Sequence, residues 1–329
     1  MKVTIVIPNW NGGKFLRQCL SSLVTQTFTD FETILVDNGS TDDSVLMTKK
    51  EFPWVQIICL DKNYGFAYAV NRGIENARGE YIALLNNDTF VDQDWLKELV
   101  YALDIDPEVS FCSCKMLQFG NEAVIDSVCD VYTLSGQAIK LGYGLRDCGQ
   151  YDSLKEVFGA CAGAAIYRKE FFDKVGLFDE SFFCYYEDVD LNLRAAAKGL
   201  KCVFVPKAVV YHIGSATTGG RYNKFNLYYT GRNSVLTLKK NLPKSLLLIL
   251  VPLIFLSNIV LVIKFAFIKI SLGKCYLKGL IDGIKADVSV HYTKQLNFYK
   301  GLIIMCQGFI LTCQFRFSRL KYGLEEKWP

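Results

Sequence analysis

Histidine is scarce in this sequence of 329 residues, which holds only His212 and His291. A structural zinc site needs about four nitrogen or thiolate ligands, and the twelve cysteines show no framework spacing, so no zinc fold is expected. A signal-peptide pattern is also missing. Met1-Lys2-Val3-Thr4-Ile5-Val6-Ile7-Pro8 reads instead as a buried strand, so the cysteines should be reduced rather than paired and this part of the chain should stay in the cytoplasm. Cys112 and Cys114 stand two apart on a strand-like run and should face the same side. Strong charge of either sign is absent: the formal net charge is +4, with no basic arm, which argues against a nucleic-acid partner. No Gly-x-Gly-x-x-Gly follows the first strand, excluding a nicotinamide-dependent dehydrogenase. Internal repeats and low-complexity linkers are lacking too.

Apolar residues, in contrast, are plentiful. They make up 51% of the chain, with a mean hydropathy of +0.18, and the excess lies after about residue 245. The first half alternates β-rich runs with helical periodicity, the pattern of a mostly parallel α/β sheet. Strands are expected at Val3–Ile7, Phe31–Val36, Val55–Leu60 and Tyr81–Leu85. Helices are expected around Phe15–Leu23, from Asp42, over Ala67–Ala77 and over Asp92–Leu103. Polar clusters recur after successive strands, where open α/β sheets bind ligands. Residues 120–156 are weakly periodic and read as a variable excursion over the site. A second block runs from Phe158 to His212.

Several residues could carry chemistry. Asp37, at a strand end, can bind a ribose hydroxyl or a base N–H, or simply form an Asx-turn. Asp88, in Asn86-Asn87-Asp88, can hold a hard cation against phosphates, or again form a turn. Glu187, Asp188 and Asp190 crowd three carboxylates ahead of a helix. Acids suit a helix N-terminus, but crowding and burial also raise a carboxyl pKa toward that of a general base. His212 ends an apolar strand and is either structural or a ligand.

In their order, these pieces resemble the family 2 glycosyltransferases, in particular the rhamnosyltransferase-like branch that builds bacterial surface polysaccharides. The matching segments are Val6-Ile7-Pro8-Asn9-Trp10-Asn11, Val36-Asp37-Asn38-Gly39-Ser40-Thr41-Asp42, Asn63-x-Gly65-Phe66-Ala67, Leu85-Asn86-Asn87-Asp88 and Glu187-Asp188-x-x-Leu191-x-x-Arg194. Pro206-x-Ala208 with His212, and Tyr228-Tyr229-x-x-Arg232-Asn233, extend the match to about residues 1–240. The resemblance implies a GT-A nucleotide-binding sandwich, its nucleotide half near 1–105 and its acceptor half near 106–240; beyond it, the apolar excess is expected to form a helical membrane-associating tail over 241–329. It implies that Pro8, Asn9 and Asn11 line the nucleotide, that Asp37 contacts base or ribose, and that Asn63 lies near the donor phosphates with Asn86 and Asn87 on the donor side. Asp88 matches the last Asp of a D-x-D motif and would bind Mg²⁺ or Mn²⁺, with His212 as a further ligand; Asn86 replaces the motif's first Asp. Asp188 matches the catalytic base, with Glu187 and Asp190 on the acceptor side. The implied activity is inverting transfer from a nucleotide diphosphate donor, dTDP-rhamnose or a UDP-hexose, to a glycan or lipid-linked acceptor.

Two rivals remain. A glycoside hydrolase would use paired carboxylates but would need neither a nucleotide pocket nor Asp88. A membrane-attached sugar-nucleotide-binding or scaffold protein without turnover would not need both Asp88 and Asp188. In the tail, Ser245–Ile263 approaches the roughly 20 residues of a membrane span, interrupted by Pro252 and Asn258, while Gly301–Cys313 is shorter. Lys239, Lys240 and Lys244 precede the first run; Lys264, Lys269, Lys274 and Lys278 follow it. Basic residues on both sides conflict with a single crossing, and a peripheral or monotopic attachment at the cytoplasmic face is expected.

Overall fold

The structure is a computed structural model in which residues 1–214, 222–287 and 296–322 are described; His291 lies outside them. Four parallel strands, β1 (Val3–Asn9), β2 (Phe31–Asp37), β3 (Gln56–Cys59) and β4 (Tyr81–Leu85), alternate with α1 (Gly13–Val24), α2 (Ser44–Glu51) and α3 (Phe66–Asn76). They agree with the sequence expectation to within a few residues. β1 runs two residues further than expected, because Pro8 and Asn9 continue the parallel ladder opposite Val36 and Asp37. Then come β5 (Thr89–Val91), α4 (Trp95–Ile105), β6 (Val109–Gln118), β7 (Asn121–Ser127), β8 (Asp130–Tyr132), β9 (Ala138–Lys140) and β10 (Glu156–Val157). The sheet region closes with β11 (Ala164–Arg168), α5 (Lys169–Val175), α6 (Glu187–Lys198) and β12 (Lys201–His212).

The main sheet has the order β10-β12-β6-β11-β4-β1-β2-β3. β11 enters antiparallel between β4 and β6, while β12 is parallel to β6. β4, β6 and β12 therefore point the same way, which brings His212 to the same sheet edge as Asn86-Asn87-Asp88. Period-2 alternation builds a core on each face. Val3, Ile5 and Ile7 pack with Leu16, Trp95 and Leu99 on one side, whereas Val6, Ile34, Val36 and Leu84 pack with Val70 and Phe171 on the other. Each such buried side chain contributes about 1.5–3 kcal/mol. Cys112 and Cys114 share the first core, as their spacing predicts.

Residues 120–156 are more ordered than their weak periodicity suggests. They form β7, β8 and β9 around Ile125, Val128, Val131, Leu141 and Leu145. β7 is exposed in its first three residues and buried in its last four, and β8 is buried throughout, so neither displays an alternating pattern.

Beyond the sheet, α7 (Lys224–Asn241), α8 (Lys244–Ile268), α9 (Ile270–Lys285) and α10 (Phe298–Tyr322) pack on the same body. α9 lies so close to α7 that a Cβ on Gly279 would fall 2.2 Å from the Tyr228 carbonyl oxygen. Pro252 does not end α8, and the Asn258 amide is satisfied by the Ile254 carbonyl and the Tyr276 hydroxyl. α8 and α10 are both long and apolar enough to cross a membrane, so the second apolar run is longer than it reads in sequence. Two of the flanking cations are engaged in packing: Lys239 caps carbonyls of Gly283, Ile284 and Ala286 at the end of α9, and Lys240 pairs with Asp179.

Candidate active site

The loops after β1, β2 and β4 are tied together by asparagine. The Asn9 amide nitrogen donates to Asp37 (3.0 Å), Ser40 (3.2 Å) and Ser44 (2.9 Å), and its oxygen accepts from Asn87 at 2.8 Å. Asp37 also accepts the Ser40 backbone N–H, three residues on. Asn11, at φ 50°, accepts from the Thr41 backbone. Asn63 accepts from Asn38 and from the Gly65 N–H, while Asn38 bridges to the Gly65 carbonyl. These bonds hold the rim of a cavity of about 1260 Å³. Pro8, Asn9, Asn63, Asn86, Asn87 and Asp88 line it, whereas Asp37, which is buried, and Asn11, which is exposed, do not.

Asp88 is buried at the wall, and His212 faces it with Nε2 3.5 Å from Oδ1. On its other side, Nδ1 of His212 lies 2.9 Å from Asp126, which is itself 2.8 Å from the Lys140 ammonium. Burial alone would lower the His212 pKa, but the Asp126 and Asp88 carboxylates raise it to about 9. Burial likewise opposes ionisation of Asp88, yet His212 holds it below the usual carboxylate value. A carboxylate and an imidazole converging at 3.5 Å, with the far ring nitrogen anchored on a second carboxylate, form the donor arrangement of many divalent-cation sites. The residues present fit a cation there.

Asp188 sits in the first turn of α6, lining the cavity. Burial raises its pKa, partly offset by the N–H groups of Ala162 and Val189. The side chains of Asp130, Cys161 and Asp188 lie within 4.8 Å of one another. Two carboxyls this close cannot both ionise freely. Asp130 is buried, and burial together with the Asp188 carboxylate pushes its pKa well up. The thiol among them makes this trio a poorer seat for a hard cation than Asp88 with His212.

Glu187 also lines the cavity, buried, with one carboxyl oxygen unpartnered; burial and then Asp188 raise its pKa well above the usual range. Asp190 is different. It is wholly buried, pairs with Arg194 at 2.8 Å and accepts from Asn241 at 2.7 Å, and it does not line the cavity. Ahead of the acids, Phe183, Tyr185 and Tyr186 all adopt positive φ, and Asn233 of α7 pins this turn through the carbonyls of Phe182, Cys184 and Tyr185. Sequence reasoning did not single out Asp126, Asp130, Lys140 or Cys161. They come from strands or loops whose partners lie far away in the chain, with no local motif to mark them.

Comparison with known proteins follows the same lines. The sequence profile described as Glycosyl transferase family 2 matches residues 4–176. The chain is 30% identical over 226 residues to the O-antigen biosynthesis protein RfbC of Myxococcus xanthus, a match covering 66% of this chain but only 18% of that protein. S. aureus TarS 1-349, solved in complex with UDP-GlcNAc, superposes with a TM-score of 0.56 at 19% identity, covering 98% of this chain and 88% of TarS. GalNAc-T7, solved with UDP, GalNAc and Mn²⁺, gives a TM-score of 0.59 at 18% identity over 74% of this chain and 48% of that one. At these identities the structural likeness is one of fold alone.

Proposed function

The chain belongs to glycosyl transferase family 2 and has the GT-A fold, and on that premise we propose that it is an inverting, divalent-cation-dependent glycosyltransferase acting on a lipid-linked acceptor at the cytoplasmic face of a membrane. The donor is a nucleotide diphosphate sugar, dTDP-rhamnose or a UDP-hexose. One observation carries this reading: Asp88 with His212, and Asp188, open onto the same cavity as the Asn9–Asn63–Asn87 rim. The name of the M. xanthus relative supports surface-polysaccharide synthesis, and the UDP-GlcNAc and Mn²⁺ of the structural neighbours support the donor class and the cation. The finer division into a catalytic region over 1–240 and a membrane-associating tail over 241–329 belongs to the same proposal.

The residues then take distinct roles. Asp188 accepts the proton of the acceptor hydroxyl. The acceptor oxygen bonds to the anomeric carbon while the bond to the diphosphate oxygen breaks on the opposite face, its electron pair leaving with the nucleotide diphosphate. Asp88 and His212 would hold Mg²⁺ or Mn²⁺, whose charge stabilises the departing phosphates. Asn63 and the β1 loop position the nucleotide, and Glu187 faces the acceptor side. The alternative, a sugar-nucleotide-binding scaffold, is separated by a donor panel assayed for nucleotide diphosphate release with a lipid-linked acceptor, with and without EDTA. Turnover abolished by EDTA is the expected result; no release from any donor would leave only the scaffold.

A further inference from the structure

The cavity holding Asp88, His212 and Asp188 continues between α8 and α10. Leu253, Ser257, Leu261 and Lys264 form one helical stripe of α8 along it, while Phe309, Thr312 and Arg316 do the same on α10. A neighbouring α8 stripe, Leu246, Leu250 and Ile254, is buried in the body together with Met305 of α10. α10 is seated so closely that a Cβ on Gly308 would come 2.0 Å from the Tyr132 carbonyl oxygen, two residues from Asp130. The helices therefore form a wall of the catalytic cavity.

Two features say what enters between them. Leu253 and Phe309 line the cavity yet are 44% and 53% exposed, continuous with the bare apolar face of Leu256, Val260, Phe267 and Ile310. The cavity thus opens onto an apolar surface. Its charges on this side are Lys264 and Arg316, and neither helix contains a single Asp or Glu. From Leu253 to Lys264 the α8 stripe runs about 16 Å. An apolar slot whose charged side chains from these two helices, Lys264 and Arg316, are both cationic is complementary to a lipid bearing an anionic head.

Resting on the transferase reading above, we propose that the gap between α8 and α10 seats the phosphate-bearing end of the acceptor lipid. Lys264 and Arg316 contact its phosphate, its chain leaves past Leu253 and Phe309 onto the exposed apolar face, and the attached sugar reaches Asp188. The two helices thus select the acceptor as well as attach the protein to a membrane.

The test uses full-length protein in neutral phosphatidylcholine nanodiscs, titrated with a long-chain prenyl phosphate, the matching prenol and inorganic phosphate. Wild type should bind the prenyl phosphate at least about tenfold more tightly than either control. Lys264→Gln with Arg316→Gln should lose about that tenfold, whereas Lys264→Arg with Arg316→Lys should retain it. Ser257→Trp, which fills the slot, should weaken both lipids. Nucleotide-sugar affinity, measured on the same samples, reports that each variant is folded and should not change. Equal binding of prenol and prenyl phosphate, unaltered affinity in the double glutamine variant, or full displacement by phosphatidylglycerol would overturn the proposal. Absence of sugar transfer from every donor would sink the transferase reading instead, and leaves this binding measurement interpretable by itself.

Discussion

Nδ1 of His212 lies 2.9 Å from a carboxylate oxygen of Asp126, a residue 86 positions away in the chain. The contact fixes the ring so that Nε2 is turned toward Asp88. A carboxylate behind a cation-facing imidazole sets its tautomer and strengthens it as a ligand, and its loss typically weakens metal affinity about 10–100-fold. Asp126→Asn should therefore lower Mn²⁺ affinity by that order, read by calorimetry without substrate. Asp188→Asn should leave it alone. If Asp126→Asn binds Mn²⁺ like wild type, the His212 pair has no bearing on the cation.

Asn233 supports the base from a distance. Its amide donates to the carbonyls of Phe182, Cys184 and Tyr185 at 2.8–2.9 Å, across a turn where Phe183, Tyr185 and Tyr186 hold φ of 65°, 64° and 69°. Left-handed backbone costs roughly 1–3 kcal/mol per non-glycine residue and relaxes unless it is pinned. Asn233→Ala should lower kcat and melting temperature while sparing nucleotide-sugar affinity. Asn233→Asp should be worse, because it turns an acceptor toward three carbonyl oxygens. An aspartate variant more active than the alanine variant would refute the pinning role.

For Asp190 the expected defect is one of stability. Removing one member of a buried ion pair leaves the other charge uncompensated, at a cost of roughly 3–5 kcal/mol. Asp190→Ala would take from Arg194 the carboxylate that it meets at 2.8 Å. Chemical denaturation should show a loss of that size, with nucleotide-sugar affinity kept in the protein that remains folded. A variant of unchanged stability that cannot turn over would return Asp190 to the acceptor side.

The difference between Asp190 and Asp188 marks what a sequence can and cannot reveal. Both stand in one acidic run, and sequence spacing alone leaves open which of them, or Glu187, is the base. Only packing shows that Asp190 turns to Arg194 and Asn241 while Asp188 turns to the cavity. The parallel strands were legible because both faces of β1 and β4 are covered, giving continuous apolar runs. β7 to β9 were not, because burial there changes along a strand rather than alternating across it. Asp37 shows a third case: its bond from Asn9 joins two strand ends 28 residues apart in the chain, a contact that no local motif marks.

Asp188 itself should reveal its role through pH. Burial raises its pKa above the ordinary carboxylate value of 3.8, so the base form is lost at a higher pH than for an exposed aspartate. The acid limb of kcat/KM should be displaced upward accordingly. Stability runs the other way. Between the unfolded and folded pKa values the native state holds a proton that the unfolded chain releases, so this group's contribution to stability is present at low pH and is lost as pH rises through the folded pKa. Once ionised, Asp188 is thus a cost to the fold, and above its folded pKa Asp188→Asn should raise the melting temperature while cutting turnover about 10²–10⁴-fold. Asp88→Asn should behave differently, weakening cation and nucleotide-sugar binding together, with partial rescue by excess Mn²⁺. Calorimetry, thermal unfolding and turnover on the two variants separate these outcomes. Near-wild-type turnover in Asp188→Asn, with Glu187→Gln inactive, would move the base by one residue.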